Sequence, residues 1–302
     1  MLVSDVISRI NLALGEPDDL TGKSINSLFT NKRIVEHLQN ALDQYASITK
    51  GIENVYSLAV YKDRRKITPP NDAIRSGAYK TAIITHNNLS TTLKYKDVDY
   101  VSRFYSNQYN GFPNVFNVWN NEIRIYPQID TDPISTTLSN NITATDTTIN
   151  VASSGNLPDM DGRITIGNEK ILYTNKTATQ LNGCTRGIEG TTASSHSTND
   201  NVIENNFILY YRKKHFEILV DNNDLITNLN SEMEICDEHI EPIVNMVAYK
   251  LLLKVDAQRA VPYKIDSDRF FQKAKMEITS GYSDVSSGGM IGEPHDVVEL
   301  NW

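Results

Sequence analysis

Apolar residues recur at helical spacing near the start of the chain. Between Val3 and Leu14 they lie three or four positions apart, which predicts an amphipathic helix that Gly15 ends. A second helix is predicted from an N-cap at Thr30 and ends before Gly51. Its buried face is expected to comprise Ile34, Leu38, Ala41, Leu42 and Tyr45.

The C-terminal third returns to the same spacing. Apolar residues from Ile240 to Leu252 predict a helix of about four turns, with Pro242 in its first turn, where a missing N–H costs nothing. A last helix is predicted to begin near Asp266 or Ser267. Gly281 is the expected residue just past its end.

Between these helices the pattern predicts strands. Residues 55–60, 79–85, 122–127 and 207–211 are rich in β-branched and aromatic side chains. We expect 122–127 and 207–211 to be hairpin partners whose connecting loop has been expanded. An irregular aromatic run from Tyr100 to Trp119 is typical of a subunit interface, with a carbohydrate-binding platform as the alternative.

The composition changes at Ile134. Of the 72 residues from Ile134 to Asn205, 31 are Ser, Thr or Asn, and helical periodicity is absent. Within this stretch Gly167-Asn168 separates two alternating segments and predicts a tight hairpin. We therefore interpret 134–205 as a small β domain inserted in a loop.

Charge and cysteine content narrow the classes of function. The net charge is −8, from 37 acidic and 29 basic residues, and the basic residues form no long run; Arg212 to Lys214 is a cluster of three. This balance argues against tight binding of nucleic acid. The two cysteines, Cys184 and Cys236, cannot build a disulfide framework and fit a reducing cytosol. We find no signal peptide and no apolar stretch of roughly 18 residues that would span a membrane.

The order of the motifs resembles the head-to-tail adaptor proteins of tailed bacteriophages. Four features carry the resemblance. They are the end of the second helix (38–45), a strand and turn (67–75), the strand 122–127 with a later matching strand at 209–213, and the helix 240–253. The match covers roughly 1–133 and 206–280, and the simple adaptors lack the insert.

The resemblance implies an α+β fold, in which N- and C-terminal helices form a helical bundle with a small β-sandwich, plus the inserted all-β domain. The expected domains are an adaptor core of 1–133 and 206–281, the insert 134–205, and an extended tail 282–302.

The same resemblance implies a structural virion protein rather than an enzyme. Its expected partners are the portal protein, the next tail ring or tail-tube protein, and about twelve copies of itself in a ring. DNA would pass through the bore, no membrane would be involved, and assembly would take place in the host cytoplasm.

The insert carries a second resemblance, to a small β module of phage virion proteins. It rests on the segments 166–169 and 181–191 and on His196. Here Gly183, Gly187 and Gly190 are predicted turn residues, and Arg186 is expected to fix their turn by binding backbone carbonyls. The alternative function is a virion carbohydrate-binding or tail-surface protein that contacts the host through this insert.

Other candidate sites lack the context that chemistry requires. Cys236 and His239 have no second pair of metal ligands, and His196 and His215 have no nucleophile pattern around them. Two aspartates, Asp159 and Asp161, match only half of a calcium loop. We predict no catalytic, cofactor-binding or metal-binding residue; a tail-associated hydrolase stays a third hypothesis.

The predicted tail is the candidate partner-binding segment. Its Gly-Ser content disfavours independent folding, so we expect it to order on assembly. The candidate contact residues are Ser283, Met290, Ile291, Val297, Val298, Leu300 and Trp302.

Overall fold

The computed structural model describes residues 1–16, 28–49, 51–74, 78–86, 89–105 and 110–286. The chain divides into two compact units. The first unit combines residues 1–52 with 214–302, and the second consists of residues 53–213. Among the described residues, no helix is long and apolar enough to cross a membrane.

The first unit is helical. Its helices are α1 (Val3–Leu14), α2 (Asn31–Thr49), α4 (Ile240–Leu252) and α5 (Ala257–Ser286), with a short 3-10 helix at Asp237–His239; α3 belongs to the second unit. Helix α4 is the centre of packing, since it contacts α1, α2 and α5 and buries most of its apolar side chains. Helices from both ends of the chain therefore share one core.

The bounds of α1, α2 and α4 confirm the predicted helices. Gly15 ends α1 in the left-handed conformation, with φ of 76°. The Asp5 carboxylate accepts a hydrogen bond from the Leu2 N–H at 3.0 Å, which satisfies a free donor at the start of α1. At the start of α2, the Thr30 hydroxyl accepts from the Arg33 N–H.

The prediction for α5 is wrong at both ends. The helix begins at Ala257, about two turns before Asp266, because the Asp256 carboxylate caps it by accepting from the Arg259 N–H at 3.0 Å. It also continues through Gly281 to Ser286. Pro262 lies inside the helix, where it lacks a hydrogen-bond donor without ending the helix.

The second unit contains a seven-stranded sheet. Its strands are β1 (Glu53–Leu58), β2 (Lys66–Ile67), β3 (Tyr79–His86), β4 (Leu89–Tyr95), β5 (Val115–Trp119), β6 (Glu122–Tyr126) and β13 (Phe207–Arg212). They are ordered β1-β13-β3-β4-β5-β6-β2, and only the β4–β5 pair is parallel among these described strands. The core of this sheet includes Ile84, Ile123, Ile125, Phe207 and Leu209.

The expected pairing of 122–127 with 207–211 is wrong. Strand β13 lies between β1 and β3, whereas β6 lies between β5 and β2 near the opposite edge. Both strands contribute side chains to the same core, but they do not pair with each other. Similar alternation shows that two strands each bury one face and does not specify which neighbour each one pairs with.

The irregular aromatic run also contains regular structure. Helix α3 (Val98–Phe104) begins at Asp97, whose carboxylate accepts from the Tyr100 N–H, and β5 follows it. Strands β5 and β6 form a hairpin through Asn120 and Asn121, which both have positive φ (51° and 57°). Asparagine tolerates this conformation better than most residues, which suits it to a two-residue turn.

Residues 134–205 supply the second sheet. Its strands are β7 (Ser135–Thr137), β8 (Thr148–Asn150), β9 (Met160–Ile166), β10 (Glu169–Lys176), β11 (Gln180–Asn182) and β12 (Asn201–Glu204), ordered β7-β12-β9-β10-β11-β8. The sheet has its own core, which includes Leu138, Ile164, Ile171, Tyr173 and Val202. The predicted hairpin is confirmed, because Ile166 pairs with Glu169 across Gly167-Asn168.

The predicted fold class is wrong. The described residues form two curled half-barrel sheets with thirteen strands in total, together with five helices, and not a helical bundle with a small sandwich plus an inserted domain. The β content was underestimated because β4 and β5 were not recognised, and these strands extend the expected sandwich into one seven-stranded sheet. The division into core, insert and tail stays a prediction.

Candidate functional site

An apolar cleft opens on the seven-stranded sheet. Its volume is about 690 Å³. Four segments meet there: the turn before β3, the start of β3, the end of β4 and the β5–β6 hairpin. The lining side chains are mainly small, proline or aromatic, and they include Pro69, Pro70, Ile74, Tyr79, Tyr95 and Val118.

The wall formed by the turn is held rigidly. The Ala73 N–H donates to the Pro70 carbonyl at 3.3 Å, and the Ile74 N–H donates to the Arg212 carbonyl at 3.1 Å. Below them the Tyr211 hydroxyl donates to the Asp72 carboxylate at 2.8 Å. These hydrogen bonds connect the described part of the turn, 69–74, to the end of β13.

One large exposed aromatic side chain lines the cleft. Tyr95 is 58% exposed, and its ring rests edge-on against Phe116, which lies in the core, at 5.5 Å between centroids. Trp119 is also 54% exposed, but it follows the lining residue Val118 on β5, and successive side chains of a strand point to opposite faces of the sheet. An exposed Tyr in the lining of a cleft is typical of binding surfaces.

The rest of the aromatic run has divided roles. Val101, Val115 and Tyr126 form a small buried cluster that Tyr105 joins. Phe104, on α3, is 64% exposed. The described part of the run is therefore partly core and partly surface, and its residue Val118 lines the cleft.

A buried polar network occupies the six-stranded sheet. Glu169 is fully buried, and its carboxylate receives a two-pronged ion pair from Arg186, with both N–O distances 2.7 Å. It also accepts from the N–H groups of Gly187 and Ser194 and lies 2.7 Å from His196 Nε2. Burial alone would raise the pKa of Glu169, but these hydrogen bonds and the Arg186 charge lower it to about 2.

Arg186 has two kinds of partner. Besides Glu169, its guanidinium donates to the backbone carbonyls of Thr143, Asp146 and Ser194. These carbonyls lie outside 183–190, so the side chain connects several segments of the sheet. Gly183, Gly187 and Gly190 around it have φ of 61°, 65° and 76°. The network is saturated by its own chain and functions as a structural centre.

A second charged centre joins the two sheets. The Glu189 carboxylate is 6% exposed and contacts Arg163 and Lys170 of the six-stranded sheet, each at 2.8 Å. It also accepts from the N–H and hydroxyl of Ser57, on β1, each at 2.7 Å. The ammonium group of Lys170 lies 4.4 Å from the ring centre of Tyr56. These contacts fix the six-stranded sheet against the seven-stranded one.

Glu204 lies where the six-stranded sheet joins the rest of its unit. It is 2% exposed, and its Oε2 accepts a long hydrogen bond, 3.4 Å, from the Ile134 N–H. Its Oε1 is buried and has no hydrogen-bond partner among the described residues. Burial raises the pKa of Glu204 to about 7, against a small lowering by the Ile134 bond.

The remaining sequence candidates are not brought together. His239 Nδ1 lies 2.5 Å from the Tyr45 hydroxyl, while Cys236 is an exposed free thiol. His215 accepts from the Glu234 N–H at 3.1 Å. Asp159 pairs with Lys176 at 3.3 Å. Within the described ranges, no group of three or more His, Cys, Asp or Glu side chains is placed to hold a metal ion.

The predicted tail contacts lie largely beyond the structure. Ser283 belongs to α5. Met290, Ile291, Val297, Val298, Leu300 and Trp302 lie outside the described residues. The apolar cleft was missed in the sequence; Pro69-Pro70 was recognised only as a turn, and Tyr95 was grouped with the irregular segment.

The comparisons with known proteins identify no relative. No known protein family matches this chain, and no curated protein matches it.

Proposed function

We propose that this chain is a structural, non-enzymatic subunit of a tailed-phage virion that binds a protein neighbour in its apolar cleft. The observation that carries the proposal is the cleft with the exposed ring of Tyr95 in its lining. The order of the sequence motifs supports a head-to-tail adaptor that acts as one copy in a ring. The proposal does not depend on the predicted fold class, which was wrong.

The lining of the cleft suits a segment of a protein partner. Pro69, Pro70, Ile74 and Val118 offer apolar surface, and the amides of Asn71 and Asn121 can hydrogen-bond to a partner's backbone. Buried Tyr side chains supply much of the binding energy at protein interfaces, because each removes a large rigid area from water. The partner is expected to insert an apolar segment against the ring of Tyr95.

In this proposal the mechanism is mechanical. One surface of the subunit binds the portal protein or the next tail ring or tail-tube protein, and other surfaces bind further copies of the chain. The ring leaves a bore for DNA. No covalent step is required, and the buried Glu169 and Glu189 centres keep the second unit rigid under load.

The test is the mass of the full chain alone and with the portal protein encoded in the same genome. We expect the 34.0 kDa chain to join the portal as a ring. Tyr95→Ala should weaken this association at least about tenfold, as expected for an interface hot spot. Phe104→Ala is the matched control, because it removes a similarly exposed aromatic ring that does not line the cleft.

Either of two results would overturn the proposal. One is the absence of any association with portal or neighbouring tail proteins. The other is an association that Tyr95→Ala and Phe104→Ala weaken equally. Binding of the full chain to a glycan array, combined with no portal binding, would instead favour the carbohydrate-binding alternative.

A further inference from the structure

A basic cleft lies at one edge of the seven-stranded sheet. It is formed by Arg64, Arg65, Lys66 and Arg124 around the ring of Tyr126, with Gln128 and one acidic residue, Asp63, also in its lining, and its volume is about 570 Å³. The Asp63 carboxylate accepts a hydrogen bond from the Asn110 side chain at 2.9 Å. Lys66 belongs to β2, the last strand at this edge, and Arg124 to its neighbour β6. The cleft is separate from the apolar one, with which it shares no lining residue.

The backbone holds these cations in fixed positions. Lys66 and Arg124 are direct partners in the β2–β6 ladder. The Ile125 N–H donates to the Arg65 carbonyl at 3.2 Å, and the Arg64 N–H donates to the Tyr61 carbonyl at 3.1 Å. Lys66 and Arg124 therefore lie in the sheet, and Arg64 and Arg65 lie in the turn that leads into β2.

Its positive charge is only partly neutralised. Glu122 is shared by Lys66 at 3.2 Å and Arg124 at 2.9 Å. Hydrogen bonds from both cations lower the pKa of Glu122, so it stays ionised. Within the part of the chain that the structure describes, neither Arg64 nor Arg65 has an ion-pair partner. Two guanidinium groups therefore remain available.

Arg65 has an unusual environment. Its guanidinium carbon lies 5.0 Å from the ring centre of Tyr126, and its Nε is buried without a hydrogen-bond acceptor in the described residues. A buried donor left without an acceptor destabilises the folded protein. An oxyanion bound along this guanidinium would supply acceptors, and the planar fork of arginine suits the paired oxygens of a phosphate.

We propose that the basic cleft binds phosphate groups, and that their source is the phosphodiester backbone of nucleic acid. An open row of cations at a sheet edge fits a chain of phosphates better than one enclosed ion. Tyr126 is 5% exposed and is covered by Arg65, so it offers no face for stacking a base. The contact is therefore to the backbone and independent of sequence.

The acidic balance of the whole chain sets the strength of this contact. At a net charge of −8 the protein as a whole repels nucleic acid, so the basic cleft must act locally. Binding is thus local, weak and strongly dependent on salt. The inference does not rest on the apolar cleft, and it holds whether or not the chain binds a portal.

The test is the fluorescence anisotropy of a labelled DNA duplex of mixed sequence, titrated with the full chain over a series of salt concentrations. The double variant Arg64→Ala, Arg65→Ala should bind at least about tenfold more weakly at low salt. The slope of log affinity against log salt concentration should be smaller in magnitude by about two for this variant. Each lost phosphate contact reduces that slope by roughly 0.9. Arg103→Ala, which removes an exposed cation on α3, should bind like the wild type.

Arg64→Glu is a second variant that leaves the packing of Arg65 on Tyr126 intact. Because Arg64 is exposed, this variant should fold normally and still lose binding. Equal binding by Arg64→Glu and Arg103→Glu would overturn the proposal, as would no duplex binding by the wild type at low salt. Stabilisation by inorganic phosphate alone, or binding to phosphatidylserine vesicles without duplex binding, would overturn the nucleic-acid source.

Discussion

The buried carboxyl group of Glu204 makes a quantitative prediction about pH. The side chain is 2% exposed, accepts one long hydrogen bond from Ile134 and leaves Oε1 without a partner among the described residues. Ionising such a group inside the protein is unfavourable, which is why burial raises its pKa to about 7. The substitution Glu204→Gln removes the ionisation and keeps an oxygen for the Ile134 N–H.

The magnitude follows from the two pKa values of this carboxyl group. The pKa is 4.5 in the unfolded chain and about 7 in the folded protein, so the folded state holds its proton to higher pH. The free energy of unfolding therefore falls as pH rises from about 4.5 through 7. At about 1.36 kcal/mol for each pKa unit, the full loss is about 3 kcal/mol, reached above pH 7.

The measured quantity is the difference in unfolding free energy between Glu204→Gln and the wild type. Urea unfolding followed by far-UV circular dichroism, at constant ionic strength, gives this difference at each pH. We expect it to shift by about 2 to 3 kcal/mol in favour of the variant between about pH 5 and pH 8. The unpaired amide that Gln introduces costs a constant amount, which displaces the curve without changing its slope.

Other groups that titrate in this pH range contribute equally to the unfolding free energy of both proteins, so their contributions cancel in the difference. Burial lowers the pKa of His37, so His37 makes stability rise with pH, opposite to Glu204. Both proteins contain His37, so its effect cancels. If the curves of Glu204→Gln and the wild type run parallel from about pH 5 to pH 8, the reasoning about Glu204 is refuted.

Three further predictions concern the six-stranded sheet. Arg186→Ala leaves the fully buried Glu169 without its ion pair, and it should lower the free energy of unfolding in urea by about 3 to 5 kcal/mol. Arg186→Lys keeps a positive charge and should lower the free energy of unfolding by less. In the same assay, Gly183→Ala should lower the free energy of unfolding more than Gly190→Ala. Both glycines have positive φ, so both substitutions strain the backbone. A Cβ at Gly183 would also lie 2.2 Å from Thr174 Oγ1, whereas a Cβ at Gly190 would meet no atom within 4 Å. Because the pKa of Glu169 is lowered to about 2 in the folded protein, the free energy of unfolding should fall as pH decreases from about 4.5 toward 2. The same measurement on Glu169→Gln should show a smaller fall in the free energy of unfolding over this pH range.

Local sequence signals predicted much of the secondary structure. The apolar stripes of α1, α2 and α4 and the Gly167-Asn168 turn each depend on residues close together in the chain, and each was confirmed. The start of α5 was missed because the Asp256 cap precedes a segment without a clear apolar stripe. Where the signal is local and strong, periodicity and capping are sufficient.

Strand pairing was beyond the same reasoning. Both β6 and β13 alternate correctly, and Ile123, Ile125, Phe207 and Leu209 are all buried in one core. Alternation indicates that a strand has one buried face, but all the remaining strands of the sheet also have one. Alternation therefore does not identify the pairing partner. The partners were therefore inferred from their positions on either side of 134–205, and that inference was wrong.

The candidate sites depended even more on long-range contacts. The basic cleft had a visible signal, since Lys62-Asp63-Arg64-Arg65-Lys66 holds four cations in five residues, yet Arg124 joins it only through the β2–β6 ladder. Arg186 was recognised, but its carboxylate partner lies 17 residues away on β10. No local pattern links such a pair.

The buried charges explain why the two sheets of the second unit hold a defined arrangement. Apolar contacts alone would tolerate small shifts between sheets, because hydrophobic burial has no preferred direction. Glu189 instead requires Ser57 on β1 and Arg163 and Lys170 on the other sheet at once, so a shift would leave a buried carboxylate unpaired. Since Glu189 itself has a positive φ of 56°, local backbone strain is accepted to place that carboxylate between the sheets. The junction therefore opposes displacement of the two sheets relative to each other.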